Sequence, residues 1–121
     1  MTPNSGAQRR AHFRLRYPRS EGPLAGIGKE KYEVSELSEG GARILLPGDW
    51  TSAIGRPIGG TLEFPDGESI PVEGVVLRIE GPEVIVQFTK GVSFRRMLSE
   101  HSRILRAYPF IHKPSSGSAG G

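Results

Sequence analysis

Arg9, Arg10, Arg14 and Arg16 fall within the ten residues Gln8–Tyr17, with His12 among them and no acid between. Arg19 makes five arginines within Met1–Ser20, a stretch without Asp or Glu. Guanidinium is a planar fork of N–H donors that fits phosphate oxygens and the O6/N7 edge of guanine, and it stacks on flat rings. Such a cluster can bind an anion or can be a solvated arm; the arginines alone do not choose between the two. Phe13, Leu15 and Tyr17 alternate with them, which turns one apolar side inward if the chain is extended. The segment therefore reads as an anchored cationic arm.

A second group lies further on, at Glu36-Leu37-Ser38-Glu39-Gly40-Gly41. It offers a carboxylate, a hydroxyl and paired glycines that let a backbone approach a ligand or take positive φ. By itself it is an ordinary turn between strands. No grouping supports catalysis. His12, His101 and His112 are scattered over arm, helix and tail, with neither metal nor triad spacing. Asp66 and Glu68 belong to a hairpin turn, Trp50 reads as a loop anchor, and His101 as a packed helix residue. Arg95, Arg96, Arg103 and Arg106 are assigned to a solvated helix face, while Arg78 lies on the barrel wall without an assigned role. The chain is read as a non-enzyme with neither cofactor nor metal.

The elements that must hold these groups are short. The chain has 121 residues, 36% hydrophobic and 24% charged, enough for one folded domain. Seventeen Gly and ten Pro among short apolar runs argue for many turns and strands. His12–Tyr17 reads as a first strand and Arg19–Gly28 as a loop. Lys29–Ser35 is a strand with Tyr32 and Val34 on one side; Leu37 then falls out of phase, so a turn or bulge is expected within Glu36–Gly41. Ala42–Leu46 is the next strand and Trp50–Gly60 a loop. Gly60–Phe64 and Ser69–Ile79 form a hairpin about Pro65–Glu68. In its second arm Ile70 and Val72 share one parity and Val75, Leu77 and Ile79 the other, with a bulge at Gly74 between them. Glu83–Phe88 is the last strand, with Val84, Val86 and Phe88 inward. From Gly91 the period changes: Phe94, Met97, Leu98, His101, Leu105 and Tyr108 form a helical stripe, capped by Ser93 and stopped by Pro109. The fold expected is all-β with one C-terminal helix: a six-stranded antiparallel barrel, the helix covering one opening. Residues 1–7 are expected to be a flexible start, 8–108 the domain, and 109–121 a flexible tail.

RRAHFR at Arg9–Arg14 followed by ELSEGG at Glu36–Gly41 resembles the PilZ domain family, receptors for the bacterial second messenger cyclic di-GMP. Arg10 and Arg14 match the family's RxxxR motif, with Arg9 as a common extra arginine. Ser38 and Gly41 match its (D/N)xSxxG motif. Glu36 stands at the acidic position, one methylene longer than the usual Asp or Asn. The resemblance covers about Gln8–Tyr108 and implies a PilZ-like barrel that binds cyclic di-GMP through Arg9, Arg10, Arg14, Glu36, Ser38, Gly40 and Gly41. It also implies signalling to a downstream protein that the sequence does not name. Arg9 resembles family members that bind an intercalated pair of ligands. Arg10 and Arg14 would be about 13 Å apart on an extended strand but neighbours if the arm coils, so the arm could fold around a dianion.

Two other readings compete. One is a PilZ-like interaction scaffold with lost or weak nucleotide binding, to which Glu36 points. The other is a small basic nucleic-acid-binding barrel. Against the latter, net charge is only +3, strand charges are nearly balanced, and no aromatic row faces outward. With no Cys there is neither disulfide nor thiolate site. No apolar run approaches the roughly 18 residues of a membrane span, and Pro3-Asn4-Ser5-Gly6 replaces the apolar core of a secretory signal. A bacterial cytoplasmic location is expected.

Overall fold

The structure, a computed structural model, describes residues 14–109. Strands β1 (Leu15–Arg16), β2 (Leu24–Ile27), β3 (Glu30–Ser38), β4 (Gly41–Leu45), β5 (Pro57–Glu63), β6 (Ser69–Glu80) and β7 (Glu83–Lys90) precede one helix, α1 (Phe94–Ala107). All pairings are antiparallel, in the order β3-β2-β5-β6-β7-β4, and β4 pairs back with β3. The ring is thus a closed six-stranded barrel, with β1 appended to the edge of β3. Closure leaves none of the six barrel strands as a free edge.

One stave was misread from the sequence. Leu24–Ile27 was expected as loop because glycines and Pro23 crowd it, yet it pairs with both β3 and β5. Only Leu15–Arg16 of the expected first strand is a strand among the described residues, and it lies outside the ring. Residues 1–7 and 110–121 lie outside the description. The phase slip occurs at Ser35, just ahead of the Glu36–Gly41 stretch expected to absorb it, where the β3–β4 register shifts between Val34 and Glu36. That bulge lets Val34 and Leu37 both reach the core and leaves Glu36 and Ser38 facing outward. In β6 the register shifts at Gly74, as expected, and again between Val76 and Arg78. The core residue is consequently Val76, and Leu77 turns outward.

Inward residues of every stave meet in one cluster with Leu15, Met97 and Ile104. Trp50 packs against it at the side and donates Nε1–H to the Pro47 carbonyl. Ser93 caps α1 by accepting from the Arg96 amide at 3.0 Å. The packed side of α1 differs from the expected stripe. Met97 and Ile104 go inward together with Arg96 and Glu100, while Phe94, Leu98 and Leu105 remain exposed and His101 is half-buried. Arg96, expected in solvent, bonds Asp66, Glu68 and Glu100 and stacks 3.9 Å over the Phe64 ring. Arg103 bonds Glu100 and the Glu21 carbonyl. These ties hold α1 across the barrel end formed by the Pro65–Glu68 turn and the loop before β2. Among the described residues no helix is long and apolar enough to cross a membrane.

Candidate functional site

Alternation decides what the barrel wall shows. With Leu15 and Tyr17 buried, Arg14 and Arg16 face out; with Val34 and Leu37 buried, so do Glu36 and Ser38; Arg43 lies between the buried Ala42 and Ile44. The β1–β3 register sets Arg16 opposite Glu36. The outward residues border an open groove of ≈ 370 Å³ lined by Arg14, Glu36, Ser38, Gly41, Arg43 and Arg78, with Leu77 and Ile85 as apolar wall.

Glu36 gathers the cations. Its carboxylate lies 3.2 Å from Arg16 Nη1, 3.7 Å from Arg43 Nε and 3.9 Å from Arg14 Nε. Arg43 also reaches Glu83 at 3.2 Å and Glu80 at 2.8 Å. Hydrogen bonds from Arg78, then Arg43, hold the Glu80 carboxyl below the usual carboxylate range. Ser35, at the bulge, donates to Glu83 at 2.7 Å. Among the described residues, four guanidiniums thus meet three carboxylates here. Arg9 and Arg10, also expected at the site, lie outside the described residues. The arrangement has donor forks and an apolar wall, which suits an anionic ligand with flat faces.

The Ser38–Gly41 turn joins β3 to β4. Ser38 Oγ accepts from the Gly40 amide at 3.2 Å and donates to the Gly41 carbonyl at 3.4 Å. Gly41 has a packing reason to be glycine: a Cβ there would stand 2.4 Å from the Val86 carbonyl oxygen in the β4–β7 ladder. Arg14, Glu36, Ser38, Gly40 and Gly41, anticipated from sequence, therefore line one groove. Arg16, Arg43, Glu80 and Glu83 were not assigned to the site from sequence. Arg16 shares the parity of Arg14, and Arg43 alternates with Ala42 and Ile44, so both had a legible signal. Glu80 and Glu83 belong to the turn joining β6 to β7, whose position beside β3 is a matter of topology. Among the described residues no three His, Asp or Glu side chains gather as a metal site.

No curated protein has a sequence that matches this one. Two solved structures have the same fold. The crystal structure of an uncharacterized Legionella protein, Lpg0364, aligns with a TM-score of 0.55 at 22% identity, covering 78% of this chain and 95% of that one. K. pneumonia MrkH, in its complex with c-di-GMP, aligns with a TM-score of 0.51 at 15% identity. That match covers 88% of this chain and 54% of MrkH, so the chain spans about half of that protein's length. The model of the PilZ domain matches residues 8–110, from the arginine arm through the whole barrel and α1. With the barrel closed, the helix behind it and both motifs inside that match, the chain belongs to the PilZ domain family, a family of ligand-binding and adaptor domains that includes cyclic di-GMP receptors.

Proposed function

We propose that this protein is a cyclic di-GMP receptor that binds the dinucleotide between its N-terminal arginine arm and the Glu36–Gly41 turn, and presents the result to a partner protein. The observation that carries the reading is the meeting of two distant sequence motifs. Arg14 Nε stands 3.9 Å from Glu36 Oε2, over the groove that Ser38, Gly40 and Gly41 line. A dianion with two guanines needs cations for its phosphates and forked partners for its base edges. Arg9, Arg10 and Arg14 supply the cations, Glu36 a carboxylate for a guanine N–H edge, and Ser38 a hydroxyl. Leu77 and Ile85 give a purine face an apolar wall. The solved complex of MrkH, a protein of the same fold, with c-di-GMP supports this choice of ligand. The working unit is residues 8–108, in a bacterial cytoplasm, with no cofactor and no chemistry on the nucleotide.

A second reading rests on Glu36. Three arginines already hold its carboxylate, so a ligand must compete with Arg16 and Arg43 for it. A scaffold that no longer binds nucleotide would look the same. Calorimetry with cyclic di-GMP separates the two. The receptor shows saturable binding with one or two ligands per chain. Arg10→Ala and Arg14→Ala each weaken it more than tenfold, a cost on the order of 1.5–3 kcal/mol. Absence of binding by a folded wild-type barrel leaves the scaffold. Tight binding of oligonucleotides with a steep salt dependence points instead to a nucleic-acid barrel.

A further inference from the structure

The outer side of α1 carries an apolar stripe that the barrel does not cover. Phe94, Leu98 and Leu105 stand at i, i+4 and i+11, on one side of the helix, and are 48%, 46% and 39% exposed. Helical rise makes the stripe about 16 Å long, three turns of a facing helix. Arg95 and Arg106 are exposed along one flank of it, and His101, at i+7, lies half-buried within it. The one acid of α1, Glu100, is buried and bonded to Tyr17, Arg96 and Arg103. The face is therefore an apolar ridge with cations along one flank and the buried Met97 and Ile104 on the other, with no carboxylate of the helix to neutralise those cations.

We propose that this face docks an amphipathic helix of a partner protein whose apolar ridge is edged with Asp and Glu. Charge selects that partner over a second copy of the chain. In an antiparallel two-fold pair, stripe on stripe, Arg95 of one α1 meets Arg106 of the other, and neither helix has a free acid to offset them. An acidic border turns the same arginines into charge-assisted contacts around a dry centre. None of these residues lines the groove at Glu36, so the inference stands whether or not nucleotide binds there.

The test uses the full chain and three labelled, stapled helical peptides that share one leucine ridge and differ only in its borders: Glu, Gln or Lys. Fluorescence anisotropy should show the Glu-bordered peptide binding about tenfold tighter than the Gln-bordered one at low salt, a preference that shrinks at high salt. The Lys-bordered peptide should not bind. Leu98→Glu, at an exposed position that leaves the fold intact by circular dichroism, should abolish the binding. Equal affinity for all three peptides, binding of none, or binding indifferent to Leu98→Glu overturns the proposal. So does a wild-type dimer in sedimentation that Leu98→Glu dissolves, which would assign the face to a second copy.

Discussion

The Tyr17 hydroxyl donates to Glu100 Oε1 at 2.8 Å, joining residues 83 positions apart. Tyr17 closes the anchored end of the arginine arm, and Glu100 sits inside α1 with 1% of its surface exposed. Arg96 and Arg103 bond the same carboxylate, then reach out to Asp66 and Glu68 on one side and Glu21 on the other. One buried carboxylate thus connects the arm's root, the helix, the hairpin turn and the loop before β2. Burying charges in this way is costly unless every partner stays in place.

Removing Glu100 should accordingly hurt more than removing any of its neighbours. Glu100→Ala leaves the nearly buried Arg96 and the Tyr17 hydroxyl without their shared acceptor, and should cost about 3–5 kcal/mol. Tyr17→Phe removes one donor from a carboxylate that keeps two arginines, and should cost about 1–3 kcal/mol. Urea denaturation of the two variants and the double variant measures both, along with a coupling of at least about 0.5 kcal/mol. Equal, small losses in both single variants would mean that the network is not a structural unit.

The same pair predicts an alkaline limit. Burial first, then the Glu100 carboxylate beside it, push the Tyr17 phenol up from its ordinary value. The unfolded chain releases this proton near pH 10, while the folded chain retains it. Stability from this source is therefore complete below about pH 10 and falls as pH rises further, by up to about 1.4 kcal/mol per pH unit. Tyr108, raised by its bond to Glu21, works in the same direction. Tyr17→Phe removes the larger contribution. Parallel pH profiles above pH 10 for wild type and variant would refute the assignment.

The barrel was legible because its strands are amphipathic with period two, and α1 because Ser93 and the change of period mark its start. Leu24–Ile27 was hidden: four residues between Gly22-Pro23 and Gly28, with Gly26 among them, have no clear alternation to read, and only pairing with β3 and β5 makes them a strand. The packed side of α1 was misread for a related reason. Hydrophobicity favours Phe94, Leu98 and Leu105, but Arg96 and Glu100 go inward because Asp66, Glu68, Tyr17 and Phe64 wait there. Those partners come from distant segments, which a periodicity cannot see. At the site, the motif residues were legible as types in order. The pairing of Glu36 with Arg16 and Arg43 was not, since it follows from strand register.

Gly41 and Ser38 should separate folding from binding. A methyl at Gly41 would press on the Val86 carbonyl, a backbone atom that can yield only if β4 and β7 part. Gly41→Ala should lower stability by about 1–3 kcal/mol, the usual cost of overpacking. Ser38→Ala loses a part-buried turn bond to the Gly40 amide, about 0.5–1.5 kcal/mol, and keeps the barrel. Thermal melts with calorimetry on each variant decide the matter. A Gly41→Ala protein that melts like wild type yet loses ligand would show that the glycine serves the ligand rather than the sheet.

The last prediction concerns what ligand does to the arm. Five arginines crowd Met1–Ser20 without an acid, and their mutual repulsion opposes any compact arrangement. Arg14 and Arg16 already find Glu36 and Glu83, so under the proposed function Arg9 and Arg10 are the cations a ligand would newly engage. Tyr17 is fixed separately, by its amide on the Ser35 carbonyl at 3.0 Å and its hydroxyl on Glu100. A ligand shifts an equilibrium only by its differential affinity for the two states, and on the proposed reading a dianion seated at Glu36 touches Arg9 and Arg10 in the closed arm alone. Hydrogen exchange with and without cyclic di-GMP should therefore show protection rising across residues 8–13, while the amide of Tyr17 is protected in both states. Unchanged exchange across residues 8–13 at saturating ligand would mean that the arm is not the moving part, even with binding confirmed. Rising protection at Tyr17 as well would move the hinge of the switch to the Glu100 network.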